Sequence, residues 1–102
     1  MIIVDQNASG QTIDLQVGQV MELRLAENPS TGFRWRLTSD GAPACVVVND
    51  RFEGSPGPPG QGGQHTWEIR GAAAGDCDIA MQYRRPPDTL AGSFALHVRV
   101  TP

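Results

Sequence analysis

Apolar and polar residues alternate with a period of two along most of the chain. In the segment 21–25, Met21, Leu23 and Leu25 share one phase, whereas Glu22 and Arg24 share the other. This is the spacing of side chains on one face of a β-strand, and no segment shows the period of an amphipathic helix. The pattern predicts seven strands, after a short apolar piece at residues 2–4, in the segments 13–17, 21–25, 33–37, 46–48, 67–70, 77–83 and 94–100.

Strands with one apolar face each need a second layer to cover that face. They therefore predict an all-β fold of about seven antiparallel strands in two packed sheets, an immunoglobulin-like β-sandwich. A partly closed barrel is the alternative architecture. Trp35 lies on the third predicted strand, where such sandwiches often bury a Trp, and we expect it to pack in the core with Trp67 and Phe94.

Three connections between the predicted strands have unusual sequences. They are Asn28-Pro29-Ser30-Thr31-Gly32-Phe33, Gly60-Gln61-Gly62-Gly63 and Arg85-Pro86-Pro87. They are the second, fourth and sixth connections, and every second connection between antiparallel strands falls at the same end of the molecule. We therefore expect the three loops to converge on one tip, and loops held by a rigid scaffold are where binding residues concentrate.

Size and charge narrow the classes of function. With 102 residues, the chain is predicted to form one domain, 1–102. The net charge is −3, and the eight basic residues, all Arg, form no stripe, so we expect no nucleic-acid partner. No apolar run approaches the roughly 20 residues of a membrane span, so we expect no membrane partner. We also expect a monomer. The location is secreted or periplasmic if a signal peptide has been removed, and cytoplasmic otherwise.

The side chains needed for catalysis or metal binding are not grouped in the sequence. His65 has no Ser or Cys nucleophile beside it in a recognisable motif, and His97 falls in the outward phase of the last strand. A blue-copper site needs a His shortly after its Cys, but His97 follows Cys77 by about twenty residues. No Cys or His spacing fits zinc. We therefore expect no enzyme activity, metal or cofactor.

The two cysteines are candidates for a structural bond. Cys45 precedes the predicted fourth strand and Cys77 opens the sixth, so both lie at the end opposite the three loops. A Cys45–Cys77 disulfide is geometrically allowed there. Two buried thiols are the alternative, and the sequence leaves this choice open.

The three loop sequences together resemble the chagasin-type inhibitors of papain-like cysteine peptidases. That family is marked, in this order, by an Asn-Pro-Thr-Thr-Gly-Tyr/Phe loop, a Gly-x-Gly-Gly loop and an Arg-Pro-Trp/Phe loop. The resemblance spans about residues 15–100. Two departures stand out: Ser30 replaces a Thr, and Pro87 replaces an aromatic residue.

The resemblance implies a reversible inhibitor that occludes the cleft of a papain-like cysteine peptidase with three loops, 28–33, 54–66 and 84–88. It implies that Thr31 and Gly32 sit nearest the target's catalytic Cys, with Asn28 and Pro29 shaping the wedge. The protease-binding residues that it implies are Asn28, Pro29, Ser30, Thr31, Gly32, Phe33, Gly60, Gln61, Gly62, Gly63, Arg85, Pro86 and Pro87.

Two other classes of function are open from the sequence. An immunoglobulin-like adhesion or ligand-binding module without inhibitory activity would want exposed aromatic residues on these loops, where only Phe33 and Trp67 are available. A structural accessory domain of a larger protein would have its loop tip covered.

Overall fold

The computed structural model describes residues 2–54 and 62–102. This part of the chain confirms the all-β expectation, with short 3-10 turns at Gln6–Ala8 and Pro29–Thr31. Its strands are β1 (Ile2–Val4), β2 (Thr12–Gln16), β3 (Val20–Glu27), β4 (Arg34–Asp40), β5 (Cys45–Gly54), β6 (Gly63–Gly71), β7 (Gly75–Arg85) and β8 (Thr89–Thr101). No helix in the described ranges is long and apolar enough to cross a membrane.

The strands form two four-stranded sheets, with the orders β1-β3-β6-β5 and β2-β8-β7-β4. The immunoglobulin-like sandwich is therefore confirmed, with eight strands rather than about seven. Two pairings are parallel, β1 with β3 and β2 with β8, and the other pairings are antiparallel. The parallel pairings arise from the path of the N-terminal segment. It forms the edge strand β1 of one sheet, turns at Gln6–Ala8, and then forms the edge strand β2 of the other sheet.

The inward phase of the alternation fills the space between the sheets. Met21, Leu23 and Leu25 on β3 are completely buried. Trp67 and Phe94 are core residues as expected, whereas Trp35 is only partly buried against the core. The core residues contributed by β6, β7 and β8 are Trp67, Ile69, Cys77, Ile79, Met81, Phe94, Leu96, Val98 and Val100.

Two apolar residues that share the inward phase lie at the surface instead. Val17 is 48% exposed because it follows the last residue of β2, and Leu37 is 37% exposed on the edge strand β4. A register shift between Leu37 and Ser39 interrupts the pairing of β4 with β7. Alternation fails here because edges and bulges change which way a side chain points.

The strand register brings the three unusual connections to one end of the sandwich. In one sheet, Glu27 at the end of β3 pairs with Gly63 at the start of β6, which also pairs with Gly54 at the end of β5. In the other sheet, Arg34 at the start of β4 pairs with Arg84 near the end of β7. The loop end, as we call this region, thus carries residues 28–33, the flanks of the 55–61 segment, and residues 84–88.

The cysteines lie at the opposite end, among turns that hydrogen-bond to one another, such as Ala72 N–H to the Ala44 carbonyl oxygen at 2.7 Å. Cys45 and Cys77 are buried, and their Sγ atoms are 2.7 Å apart. In the reduced form, burial raises the pKa of both thiols, that of Cys77 to about 12. The fold thus brings the two residues together, and the disulfide between them stays a prediction.

Candidate functional site

The first loop, 28–33, is closed by its own polar groups. Thr31 N–H donates to the Asn28 carbonyl oxygen at 3.1 Å, and the Thr31 hydroxyl donates to the same oxygen at 2.7 Å. The Asn28 side-chain oxygen accepts from the Ser30 N–H at 3.2 Å and from the Ser30 hydroxyl at 2.6 Å. Asn, Ser and Thr commonly stabilise turns in this way. The turn is thereby held in one shape while Ser30, Thr31 and Gly32 remain exposed.

Gly32 brings the first loop against the third. Its φ of +84° lies in the left-handed region that favours glycine. A Cβ at this position would lie 3.1 Å from Cδ and 3.2 Å from Cγ of Arg85. The Arg85 guanidinium carbon is 4.8 Å from the centre of the Phe33 ring, a cation–π distance. The first and third loops are therefore in direct contact, and Pro86 and Pro87 follow as an exposed turn between β7 and β8.

Gly62 brings the second loop against the first. Its φ is +75°, and a Cβ there would lie 2.9 Å from both the Glu27 carbonyl oxygen and the Asn28 Cβ. The second loop therefore packs at Gly62 on the start of the first loop, and position 62 has no room for a side chain. Gly60 and Gln61 lie outside the described residues.

An aromatic cluster supports the first loop from below. The Tyr83 ring stacks on Phe33 with centroids 5.4 Å apart and contacts Trp35 at 4.9 Å. The Tyr83 hydroxyl oxygen accepts a hydrogen bond from Asn28 N–H at 2.9 Å. Trp35 Nε1–H donates to the Ala26 carbonyl oxygen at 2.8 Å. Tyr83, on β7 of the second sheet, thus holds Asn28, the first residue of the loop that follows β3 of the first sheet.

A buried carboxylate bridges the two stems of the same loop. Glu27 is the last residue of β3, and its side chain is fully buried. It accepts a hydrogen bond from Trp35 N–H at 2.7 Å and is hydrogen-bonded to His65 Nδ1 at 3.0 Å. His65 is also hydrogen-bonded to Asp50 through Nε2 at 3.1 Å and stacks on Trp67 at 4.0 Å. One carboxylate therefore connects β3, β4 and β6 directly beneath the loop end.

The exposed groups of the loop end are suited to contact rather than to chemistry. Residues 28–33 contain no charged side chain, and Ser30 and Thr31 use their hydroxyls within the turn. Among the residues that the structure describes, no three His, Cys, Asp or Glu side chains are grouped so as to hold a metal ion. His97, far from the loops, pairs with Asp78, and this hydrogen bond raises the pKa of the imidazole. His97 is thus a surface side chain hydrogen-bonded to a neighbouring carboxylate.

These features define a β-sandwich that offers one rigid loop end to another macromolecule. The chain belongs to the chagasin family of peptidase inhibitors, because the family model described as "Chagasin family peptidase inhibitor I42" matches residues 14–98. The family consists of inhibitors and not of enzymes, and the resemblance seen in the sequence is confirmed.

Individual relatives agree with this assignment. The chain is 31% identical to Amoebiasin-1 of Entamoeba histolytica over 102 residues, which cover 98% of this chain and 99% of that protein. It is 30% identical to Chagasin of Trypanosoma cruzi over 83 residues, 76% of each protein. The crystal structure of the cysteine protease inhibitor EhICP2 from Entamoeba histolytica shares the fold, with a TM-score of 0.84 at 16% identity over 98% of this chain and 94% of that one.

The structure brings together most of the loop residues singled out in the sequence and adds three that were not. The strand pattern places Tyr83 only at the end of the predicted strand 77–83, no pattern marks Glu27, and the sequence raises His65 only as a catalytic candidate. All three hold the first loop in place. The available signals were their positions: Glu27 directly precedes the first motif, and Tyr83 lies two residues before Arg85.

Proposed function

We propose that this protein is a reversible inhibitor of papain-like cysteine peptidases that closes the active-site cleft of its target with three loops, 28–33, 54–66 and 84–88. The observation that carries the proposal is the loop end itself: segments far apart in sequence meet around an exposed, uncharged turn. Membership of a peptidase inhibitor family supports it. The first loop is the wedge that enters the cleft, and the other two loops flank it.

Rigidity explains how a loop can fill a protease cleft without being cut. The turn at Pro29–Thr31 is held by Asn28, Ser30 and Thr31 within the loop and by Tyr83 beneath it. A preorganised loop loses little conformational entropy on binding and does not adopt the extended shape of a substrate. Insertion of the tip also desolvates no ion, because residues 28–33 carry no formal charge.

The flanking loops offer two different contacts to the walls of the cleft. Residues 54–66 contain no Asp, Glu, Lys or Arg and five glycines, so their backbone can approach and pair with an extended segment of the target. In the third loop, Arg85, Pro86 and Pro87 are exposed beside the tip. Arg85 already stacks on Phe33, and its guanidinium keeps donors for hydrogen bonds to the target.

The direct test is to titrate papain with the purified protein in a reducing buffer and to follow hydrolysis of a small peptide substrate. We expect reversible, competitive inhibition, no effect on a serine peptidase or a metallopeptidase, and an inhibitor that remains intact after long incubation. Absence of papain inhibition at micromolar inhibitor would refute the proposed function. Steady cleavage at the Thr31–Gly32 bond would refute the wedge mechanism alone.

A further prediction concerns Pro87, which stands where the family has an aromatic residue. Pro87→Trp is expected to tighten papain inhibition by about 1–2 kcal/mol, roughly five- to thirtyfold, because a Trp buries more apolar area against the target. Most of the gain is expected as slower dissociation, measured by following release of the complex.

Pro43→Trp is the matched control, since Pro43 is an exposed proline in a turn at the opposite end. We expect it to leave the inhibition constant unchanged. If Pro87→Trp has no more effect than Pro43→Trp, the third loop does not contact the enzyme at this residue.

A further inference from the structure

Arginine side chains are concentrated on one flank of the loop end. Arg34 on β4 pairs in register with Arg84 on β7, Arg36 pairs with Gln82, and Arg85 ends β7. Since side chains on one face of a strand recur every second residue, Arg34, Arg36 and Arg84 share the outward phase of this sheet. The charge of Arg34 is compensated, because its Nε lies 3.7 Å from the buried Glu27 carboxylate. Four of the eight basic residues of the chain therefore stand beside the third loop.

Three of these arginines line a surface hollow of about 280 Å³, together with Pro86, Pro87 and Asp88. Asp88 is the one carboxylate in this lining, so three Arg and one Asp give the hollow a formal charge of +2. The Arg84 guanidinium donates a hydrogen bond to the Gln82 side-chain oxygen and forms an ion pair with Asp88. Arg36 is exposed and has no ion-pair partner among the residues described, so its planar group of N–H donors faces solvent.

Among the residues that the structure describes, Arg36, Arg70 and Arg85 are exposed arginines without an ion-pair partner, and two of them, Arg36 and Arg85, lie at the loop end. On the outer face of the other sheet, Arg51 lies within ion-pair distance of Glu22, Glu53 and Glu68, so its charge is compensated. At the far end of β7 and β8, Arg99 lies 3.6 Å from Asp76. The chain as a whole carries −3. A local positive field on an acidic protein therefore points outward beside the loops that are proposed to bind.

We infer that the Arg36 hollow binds a carboxylate side chain of the target peptidase, on the rim of the cleft that the third loop contacts. The inference rests on the proposed function and adds the chemistry of the partner's surface to it. An Arg fork matches a carboxylate in geometry, and Pro86 and Pro87 provide apolar walls that keep water away from the contact. The same field attracts an acidic rim during the encounter, which accelerates association.

The experiment compares two variants that remove one positive charge from the outer face of the same sheet. Arg36→Gln removes it in the hollow. Arg99→Gln removes it at the far end, about 20 Å away, because Arg36 pairs with Gln82 and Arg99 with Asp76, six residues apart on β7 at a rise of about 3.4 Å each. The association rate constant with papain is measured by progress curves between about 0.05 M and about 0.5 M NaCl, a range over which exposed charges become screened.

We expect Arg36→Gln to slow association about three- to tenfold at the low salt concentration, with the difference fading at the high one. Arg99→Gln is expected to behave like the unmodified protein. Arg36→Lys retains the charge and loses the fork, so it is expected to restore the association rate while dissociation stays faster than in the unmodified protein.

The outcomes separate the inference from the proposed function. If the unmodified protein inhibits papain and Arg36→Gln both associates and dissociates at its rates, the hollow binds no carboxylate and this inference is wrong while the function stands. Equal slowing by Arg36→Gln and Arg99→Gln would also overturn it, because only net charge would then matter. A protein that does not inhibit papain at all refutes both.

Discussion

Thr31→Arg is expected to weaken inhibition of papain by more than about 2 kcal/mol, at least roughly thirtyfold in the inhibition constant. Thr31 is exposed at the centre of the tip, where it is proposed to sit nearest the target's catalytic Cys. An Arg there both fills the space that the cleft leaves for a small side chain and brings a charge into a desolvated contact without a partner. Titration of papain with the variant gives the inhibition constant.

The free energy of unfolding of the same variant is expected to fall by the cost of the lost Thr31 hydrogen bonds within the loop. Any further change is expected to stay within about 0.5 kcal/mol. Thr31 is exposed and not part of the core, and its hydroxyl forms hydrogen bonds within the loop. Thr31→Ser keeps the hydroxyl and is expected to retain inhibition.

Thr12→Arg is the matched control, because it introduces the same side chain at an exposed strand position away from the loops. It is expected to leave inhibition unchanged. If Thr31→Arg loses thermal stability in proportion to its loss of inhibition, the loop is a structural element and not the wedge.

Alternation in the sequence predicted the sandwich because, in most strands, the apolar phase is the face that packs between the two sheets. It works well for β3, where Met21, Leu23 and Leu25 fill the core. It does not predict that β1 and β2 add to different sheets in parallel, since that pairing depends on the tertiary path of the chain around Gln6–Ala8. Nor does it predict the exposed Leu37, because the edge position of β4 and the adjacent bulge arise only in the folded sheet.

The loops of the candidate site were predictable from their composition, but the contacts that hold them were not. Asn28 and Tyr83 are 55 residues apart, and Glu27 and His65 are 38 apart. No local pattern in the sequence links such pairs. The reason for glycine at position 62 is equally non-local, because the space for its side chain is taken by Glu27 and Asn28. These long-range contacts determine whether a connection rich in glycine and proline adopts a single conformation.

Glu27 is the clearest example of such a support, and Glu27→Ala is expected to lower the free energy of unfolding by about 2–4 kcal/mol. The substitution leaves Trp35 N–H without its acceptor at the start of β4 and removes the Nδ1 partner of His65. It also leaves a void where a fully buried carboxylate stood, 3.7 Å from the Arg34 guanidinium. Urea unfolding followed by the fluorescence of Trp35 and Trp67 measures the change.

Two further variants separate the network from the mere loss of a carboxylate. Glu27→Gln keeps an acceptor for Trp35 N–H and is expected to cost less than Glu27→Ala. Glu53→Ala removes a carboxylate that is 66% exposed and pairs with Arg51 at the surface, so a change within about 0.5 kcal/mol is expected. Because Glu27 joins the stems of the first loop, Glu27→Ala is also expected to weaken papain inhibition under conditions where the variant is fully folded. Unfolding curves that coincide with those of Glu53→Ala, together with unchanged inhibition, would mean that the loop keeps its shape without this bridge.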